Sequence, residues 1–171
     1  MHKLYCLIGE SGSGKSYIAE KVSKASGAKI LPSYTTRKKR RGDKDHTFVT
    51  REEFEKIPNK VVRLDFCKNS YCITMEQTEK YDIVLIDPDS YRDMRGLLTD
   101  IKVVGIYINT PLETRMKRMK ERGDDDDVIK KRLEEESELF FWACFGMDYQ
   151  VRGDKKNAWK IVQQILKTEE E

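Results

Sequence analysis

Leu4-Tyr5-Cys6-Leu7-Ile8-Gly9-Glu10-Ser11-Gly12-Ser13-Gly14-Lys15-Ser16 is the stretch whose reading decides the fold. Leu4 to Ile8 is a short apolar run that stops at a glycine-rich turn, and from Lys15 to Lys24 the spacing of Ile18 and Val22 predicts a helix. Gly9 to Ser16 fits G-x-x-x-x-G-K-[ST], the phosphate-binding loop. The chemistry requires these residue types. Gly9, Gly12 and Gly14, with Ser11 and Ser13 between them, let the backbone curl so that successive N–H groups face an anion, and the following helix adds its positive end. Lys15 supplies a mobile charge for the outer phosphates of a nucleotide such as ATP, and Ser16 offers a hydroxyl to Mg²⁺.

Strand followed by helix recurs outward from this point. Ile83 to Ile86 and Val103 to Ile108 are continuous, mostly β-branched runs, as in parallel strands buried on both faces. Leu112, Met116 and Met119 trace a helical stripe, as do Ile129, Leu133, Phe140 and Cys144, and Ile161, Val162, Ile165 and Leu166. The expected class is α/β, a parallel sheet with helices on both faces. Between Pro32 and Lys80 the alternation fails. A basic turn, a charged segment at Arg51 to Lys56 and two short strands, Val61 to Leu64 and Tyr71 to Thr74, read as an inserted lobe. Asp124 to Asp127 is read as capping the helix that follows it.

The 171 residues favour one domain. Charged residues at 37% beside hydrophobic ones at 38% exclude disorder throughout and point to a core under a highly charged surface. The 33 Lys and Arg nearly balance 30 Asp and Glu, and a net charge of +3 is too small for bulk attraction to nucleic acid. The four cysteines form no C-x-x-C pair, so a disulfide or zinc framework is not expected and a reducing cytoplasm fits best. Neither a signal peptide nor a membrane span is expected. Oligomeric state is not legible.

Ile83-Val84-Leu85-Ile86-Asp87 puts an acid at the C-terminal end of a buried strand, where ligands gather in open α/β sheets. Asp87 is read as holding magnesium through water or, alternatively, as capping the helix after Pro88. Asp89 could face the same crevice. Ser33-Tyr34-Thr35-Thr36-Arg37-Lys38-Lys39-Arg40-Arg41-Gly42-Asp43 is the most basic stretch. Such a run suits a solvated face, a nucleic-acid or import signal, or a small anionic acceptor. Its place one helix beyond the phosphate loop, its hydroxyls and the balanced overall charge favour the acceptor, and arginine forks match phosphate oxygens.

The phosphate loop, Ser33-x-x-x-Arg37-x-x-Arg40-x-Gly42-Asp43, His46-Thr47-Phe48-Val49, Tyr71 and Ile86-Asp87-Pro88-Asp89 resemble the guanylate kinase family in order and spacing. Lys117 to Gly123 and Lys130 to Leu133 resemble its lid. The resemblance implies a P-loop NTPase-type core over residues 1–32 and 81–171, an acceptor-binding lobe over 33–80 and a helical lid near 118–132. It implies ATP-dependent phosphoryl transfer, with Mg²⁺, to a nucleoside monophosphate, GMP or dGMP first. Ser33, Arg37, Arg40 and Tyr71 would hold the acceptor phosphate. Arg118, Arg122 and Arg132 would close over the transferring group, Arg118 and Arg122 converging from one helix face.

Four departures stand out. His46 replaces a tyrosine used for the acceptor phosphate, and donates best when protonated. The acid that reads the guanine amino edge should fall near Val62, with Asp65 the nearest substitute. Cys72 replaces a small glycine, and Ile73 an expected hydroxyl residue, with Thr74 one further on. Base recognition is therefore the least determined part, and another nucleotide or a phosphorylated sugar is the alternative acceptor. A non-catalytic binding module would have a damaged phosphate loop, whereas this one is intact.

Overall fold

The computed structural model describes residues 1–39, 45–66 and 68–170. In chain order its elements are β1 (His2–Ile8), α1 (Lys15–Ser26), β2 (Ser33–Thr35), β3 (His46–Phe48), α2 (Arg51–Lys56), β4 (Lys60–Phe66), β5 (Asn69–Thr74), α3 (Met75–Lys80), β6 (Ile83–Ile86), α4 (Pro88–Leu97), β7 (Ile101–Asn109), α5 (Leu112–Glu121), α6 (Asp126–Leu139), β8 (Tyr149–Arg152) and α7 (Ala158–Glu170). The central sheet has the order β6-β1-β7-β8 and is parallel throughout.

Side chains alternate across a strand, and β1 uses both faces. Leu4, Cys6 and Ile8 pack with Tyr91, Met94 and Leu98 at α4, while Tyr5 and Leu7 pack with Ile18, Ala19 and Val22 of α1 and Val162 and Leu166 of α7. This α/β arrangement agrees with the expected class. A second sheet, β3-β2-β5-β4, lies between Ser33 and Thr74 in sequence. It docks on the α4 side, where Val62 and Ile73 join the first core cluster. Both sheets thus open onto one crevice at the C-terminal ends of β1 and β6.

Some elements differ from expectation. Arg51 to Lys56 is a helix, because Thr50 and Glu53 form a reciprocal capping box that satisfies the orphan amides of its first turn. The stripe through Phe140 and Cys144 outlasts its helix: α6 ends at Leu139, and Cys144 is exposed. The acid run does stand at the N-terminus of α6 as expected, with Asp126 and Asp127 in its first turn, although no side chain bonds the end amides. Asp125 is the N-cap residue without a side-chain bond, while Asp124 pairs with Arg122 and Asp126 with Lys120. β8 had no apolar signature. Among the described residues, no helix is long and apolar enough to cross a membrane.

Gly105 in β7 lies beneath Tyr91, whose hydroxyl donates to Asp148 at 2.9 Å, and Asp148 also accepts the Gly105 amide at 2.7 Å. A Cβ on Gly105 would come 2.6 Å from the Tyr91 ring. Gly105→Ala should therefore destabilise the fold by about 1–3 kcal/mol, read as a lowered midpoint in denaturant titration. An unchanged midpoint would mean that the ring yields without cost.

Candidate active site

Local backbone chemistry shapes the phosphate loop first. Gly12 (φ 77°) and Gly14 (φ 97°) are left-handed, a conformation that costs any residue with a Cβ. At Gly12 a Cβ would also stand 2.6 Å from the Arg115 carbonyl oxygen. Gly14 begins α1 without capping it, which leaves the first-turn amides available to an anion. Three buried polar atoms lack a partner among the described residues: Ser13 Oγ, Arg115 Nε and Arg132 Nε. All three belong to the loop or to the two helices that touch it. A polyphosphate with many acceptor oxygens fits this donor set.

Lys15 Nζ donates to the carbonyls of Gly9 and Glu10. Desolvation lowers its pKa to about 8, against the charges of Glu136 and Glu10, which hold it up. Ser16 and Asp87 line the same crevice and offer oxygen donors suited to a hard cation. Asp87 also caps α4, as the alternative reading had it. Its Oδ1 accepts the amides of Asp89 and Ser90, each at 3.0 Å, and its Oδ2 accepts the Ser90 hydroxyl.

A cleft runs from Gly9, Ser11, Lys15 and Ser16 to Ser33, His46 and Tyr71. The parallel pairing of β2 and β3 puts Ser33 opposite His46, and Ser33 Oγ and His46 Nδ1 form a hydrogen bond of 2.8 Å. The His46 ring stands 5.8 Å from that of Tyr71. Arg37 is not among the residues lining the cleft. Its guanidinium lies over the Phe48 ring at 5.6 Å and donates to the Lys38 carbonyl. Arg40, Gly42 and Asp43 lie outside the described residues.

Strand parity decides the β4 wall of the cleft. Val62, Leu64 and Phe66 of β4 line the cleft, so Asp65 points to the opposite side, where it accepts from Ser70 and pairs with Arg63. Asp65 is thus corrected as a base reader. Thr74 does not line the cleft either. It begins α3, its amide donating to Gln77. Asp89 is exposed and paired with Arg92, away from the crevice.

Arg118, Arg122 and Arg132 separate. Arg118 donates to the carbonyls of Gly12 (3.2 Å), Ser13 (3.0 Å) and Gly153 (3.1 Å), on the carbonyl side of the loop. Arg122 is exposed and pairs with Asp124, so these two do not converge on one anion. The loop's outward carbonyls need a donor, and Arg118 meets that need. Arg132 does reach the loop, its Nη1 donating to Ser11 Oγ at 3.2 Å. Sequence reasoning passed over Arg115, Glu136, Glu10 and Tyr107, which join here. Arg115 lies between Glu10 (3.7 Å) and Glu136 (3.4 Å), and Tyr107 donates to Glu10 at 3.0 Å. A usable signal existed, since Arg115, Arg118 and Arg122 follow i, i+3, i+7 on one helix face.

A phosphate loop at the end of β1, facing a small second sheet across one cleft, defines a P-loop phosphotransferase. The sequence model described as guanylate kinase matches residues 1–169, and the chain belongs to the guanylate kinase family, an enzyme of the nucleoside monophosphate kinase class. A guanylate kinase of Blochmanniella floridana is 32% identical, the match covering 91% of this chain and 81% of that one. One from Hydrogenovibrio crunogenus is 30% identical, over 76% and 70%. The crystal structure of guanylate kinase from Anaplasma phagocytophilum shares the fold with a TM-score of 0.71, at 21% identity and covering 98% of this chain and 86% of that one.

Lys15 gives a pH prediction. Protonated below its lowered pKa of about 8, it attracts polyphosphate, and above that pH the free enzyme loses this charge. The dissociation constant for ATP, measured by calorimetry from pH 7 upward, where the ligand is fully ionised, should rise as pH passes through about 8. Lys15→Met should bind weakly with no such rise. A wild-type profile flat to about pH 9.5 would show that the ammonium stays charged there.

Proposed function

We propose that this enzyme transfers the γ-phosphoryl group of ATP to the phosphate of GMP or dGMP, giving the nucleoside diphosphate and ADP. The observation that carries the reading is the single cleft joining the phosphate loop to Ser33, His46 and Tyr71. Phosphoryl transfer needs positioning and charge stabilisation more than covalent chemistry. The acceptor is already an anion, so no general base is required. Ser33, His46 and Tyr71 bind and orient its phosphate, with Arg37 and Arg40 assigned to the same anion from the family resemblance. Lys15 and Arg132 act on the donor side. Mg²⁺, held by Ser16 and Asp87, would neutralise charge on the donor phosphates. Leu139 and Phe140 at the end of α6 line the cleft and can exclude water, which would otherwise compete as acceptor.

The test is ADP release in a coupled assay over a panel of nucleoside monophosphates and ribose phosphates. GMP or dGMP should give turnover well above buffer, and Lys15→Met should lower kcat by about 10²–10³. No turnover with either acceptor would sink the proposal.

One observation favours a broader acceptor range. The side chains of Val62, Leu64 and Phe66 present no acceptor for the amino group of guanine, which leaves Asp45 as the lobe carboxylate that lines the cleft. A site built to hydrogen-bond a polar group rejects the analogue lacking it by about 10⁴, whereas an apolar wall does not. IMP, which lacks only that amino group, should have a kcat/KM within about tenfold of GMP. A preference for GMP of three orders of magnitude or more would contradict the apolar reading of this wall.

A further inference from the structure

Glu136 of α6 and Arg115 of α5 are charged residues with only 5% and 8% exposure. Burying charge is costly unless it is paired, and these two are paired at the phosphate loop. Glu136 Oε1 accepts the Ser11 amide at 2.8 Å, and its Oε2 is 3.4 Å from Arg115. Ser11 is a residue of the loop, and Glu136 lines the same cleft as Gly9, Lys15 and Ser16. A carboxylate therefore sits on an amide of the phosphate cradle. Arg115 holds its partners loosely, at 3.4 and 3.7 Å, compared with about 2.7–2.9 Å for a well-made charge-assisted hydrogen bond. Its buried Nε has no partner among the described residues. The guanidinium thus has spare donor capacity next to the carboxylate that holds the Ser11 amide.

We propose that Glu136 is an internal stand-in for a phosphate group, latching α6 to Ser11, and that incoming polyphosphate displaces it and takes Arg115 as an additional phosphate-binding residue. The Ser11 amide has one hydrogen, and two anions sharing the site would repel, so carboxylate and phosphate compete. Arg115 is then a positioning residue while it holds Glu136 and a ligand-binding one once it is released. The proposal rests on the cleft being a polyphosphate site and not on the identity of the acceptor.

Inorganic tripolyphosphate is the probe, with dissociation constants measured by calorimetry on the full chain alongside GMP and MgATP. Glu136→Gln should bind tripolyphosphate about tenfold more tightly than wild type, because a like charge has left the site. Arg115→Leu should bind it about tenfold more weakly, with GMP affinity unchanged in both. Glu138→Gln, an exposed change on the same helix, should behave as wild type. If Arg115→Leu does not fold, the double variant Arg115→Leu/Glu136→Leu replaces the pair with apolar side chains, a change that buried ion pairs commonly tolerate. It should bind tripolyphosphate more weakly than Glu136→Gln, and equal affinity would remove Arg115 from the site. A Glu136→Gln protein that folds yet binds tripolyphosphate no better than wild type would overturn the latch alone. Wild-type protein that binds neither tripolyphosphate nor MgATP would overturn the reading of the cleft, and the latch with it.

Discussion

A loop that turns its amides toward an anion turns its carbonyls the other way, and the rest of this structure is organised by that constraint. The carbonyls cannot be left buried without donors. Arg118 takes those of Gly12 and Ser13, Thr110 donates a second bond to Ser13, and Lys15 takes Gly9 and Glu10. Gly153 completes the packing behind the loop: a Cβ there would stand 2.2 Å from Thr110 Oγ1 and 2.6 Å from the Ser13 carbonyl oxygen. α5 and the turn after β8 are thereby fastened to the loop from the side opposite the cleft.

On the cleft side the polar groups are joined across elements, and Arg115 sits 3.4 and 3.7 Å from its two carboxylates. Glu10 and Ser11 come from the loop, Arg115 from α5, Arg132 and Glu136 from α6, and Tyr107 from β7. An apolar interior would be cheaper to fold. Retaining so many ions beside Lys15 makes sense where they are exchanged for the oxygens of a ligand.

The fold was legible because its main signals are local. The apolar runs at Leu4, Ile83 and Val103 gave β1, β6 and β7 almost to their ends, since strands buried on both faces have few alternative readings. β8 carries no such run, and its identity comes from pairing with β7. α2 was hidden because its stability lies in a capping box rather than an apolar stripe. The site was less legible for a related reason. Motifs placed Lys15, Ser33, His46 and Tyr71 on one cleft, but strand parity turned Asp65 away from it, and the loop's carbonyls drew Arg118 off the face it shares with Arg122 in a simple helical projection. Glu136 and Ser11 are 125 residues apart, and no local pattern announces their bond.

The fastening of α5 sets it apart from the helix that follows it. Met119 is fully buried and Arg118 is held at three points, so the last turn of α5 belongs to the fixed frame. Gly123, in a left-handed conformation with open space around it, is the first place where the chain can pivot. Beyond that glycine α6 runs as one rod, and Arg132 and Glu136 along its length both meet Ser11.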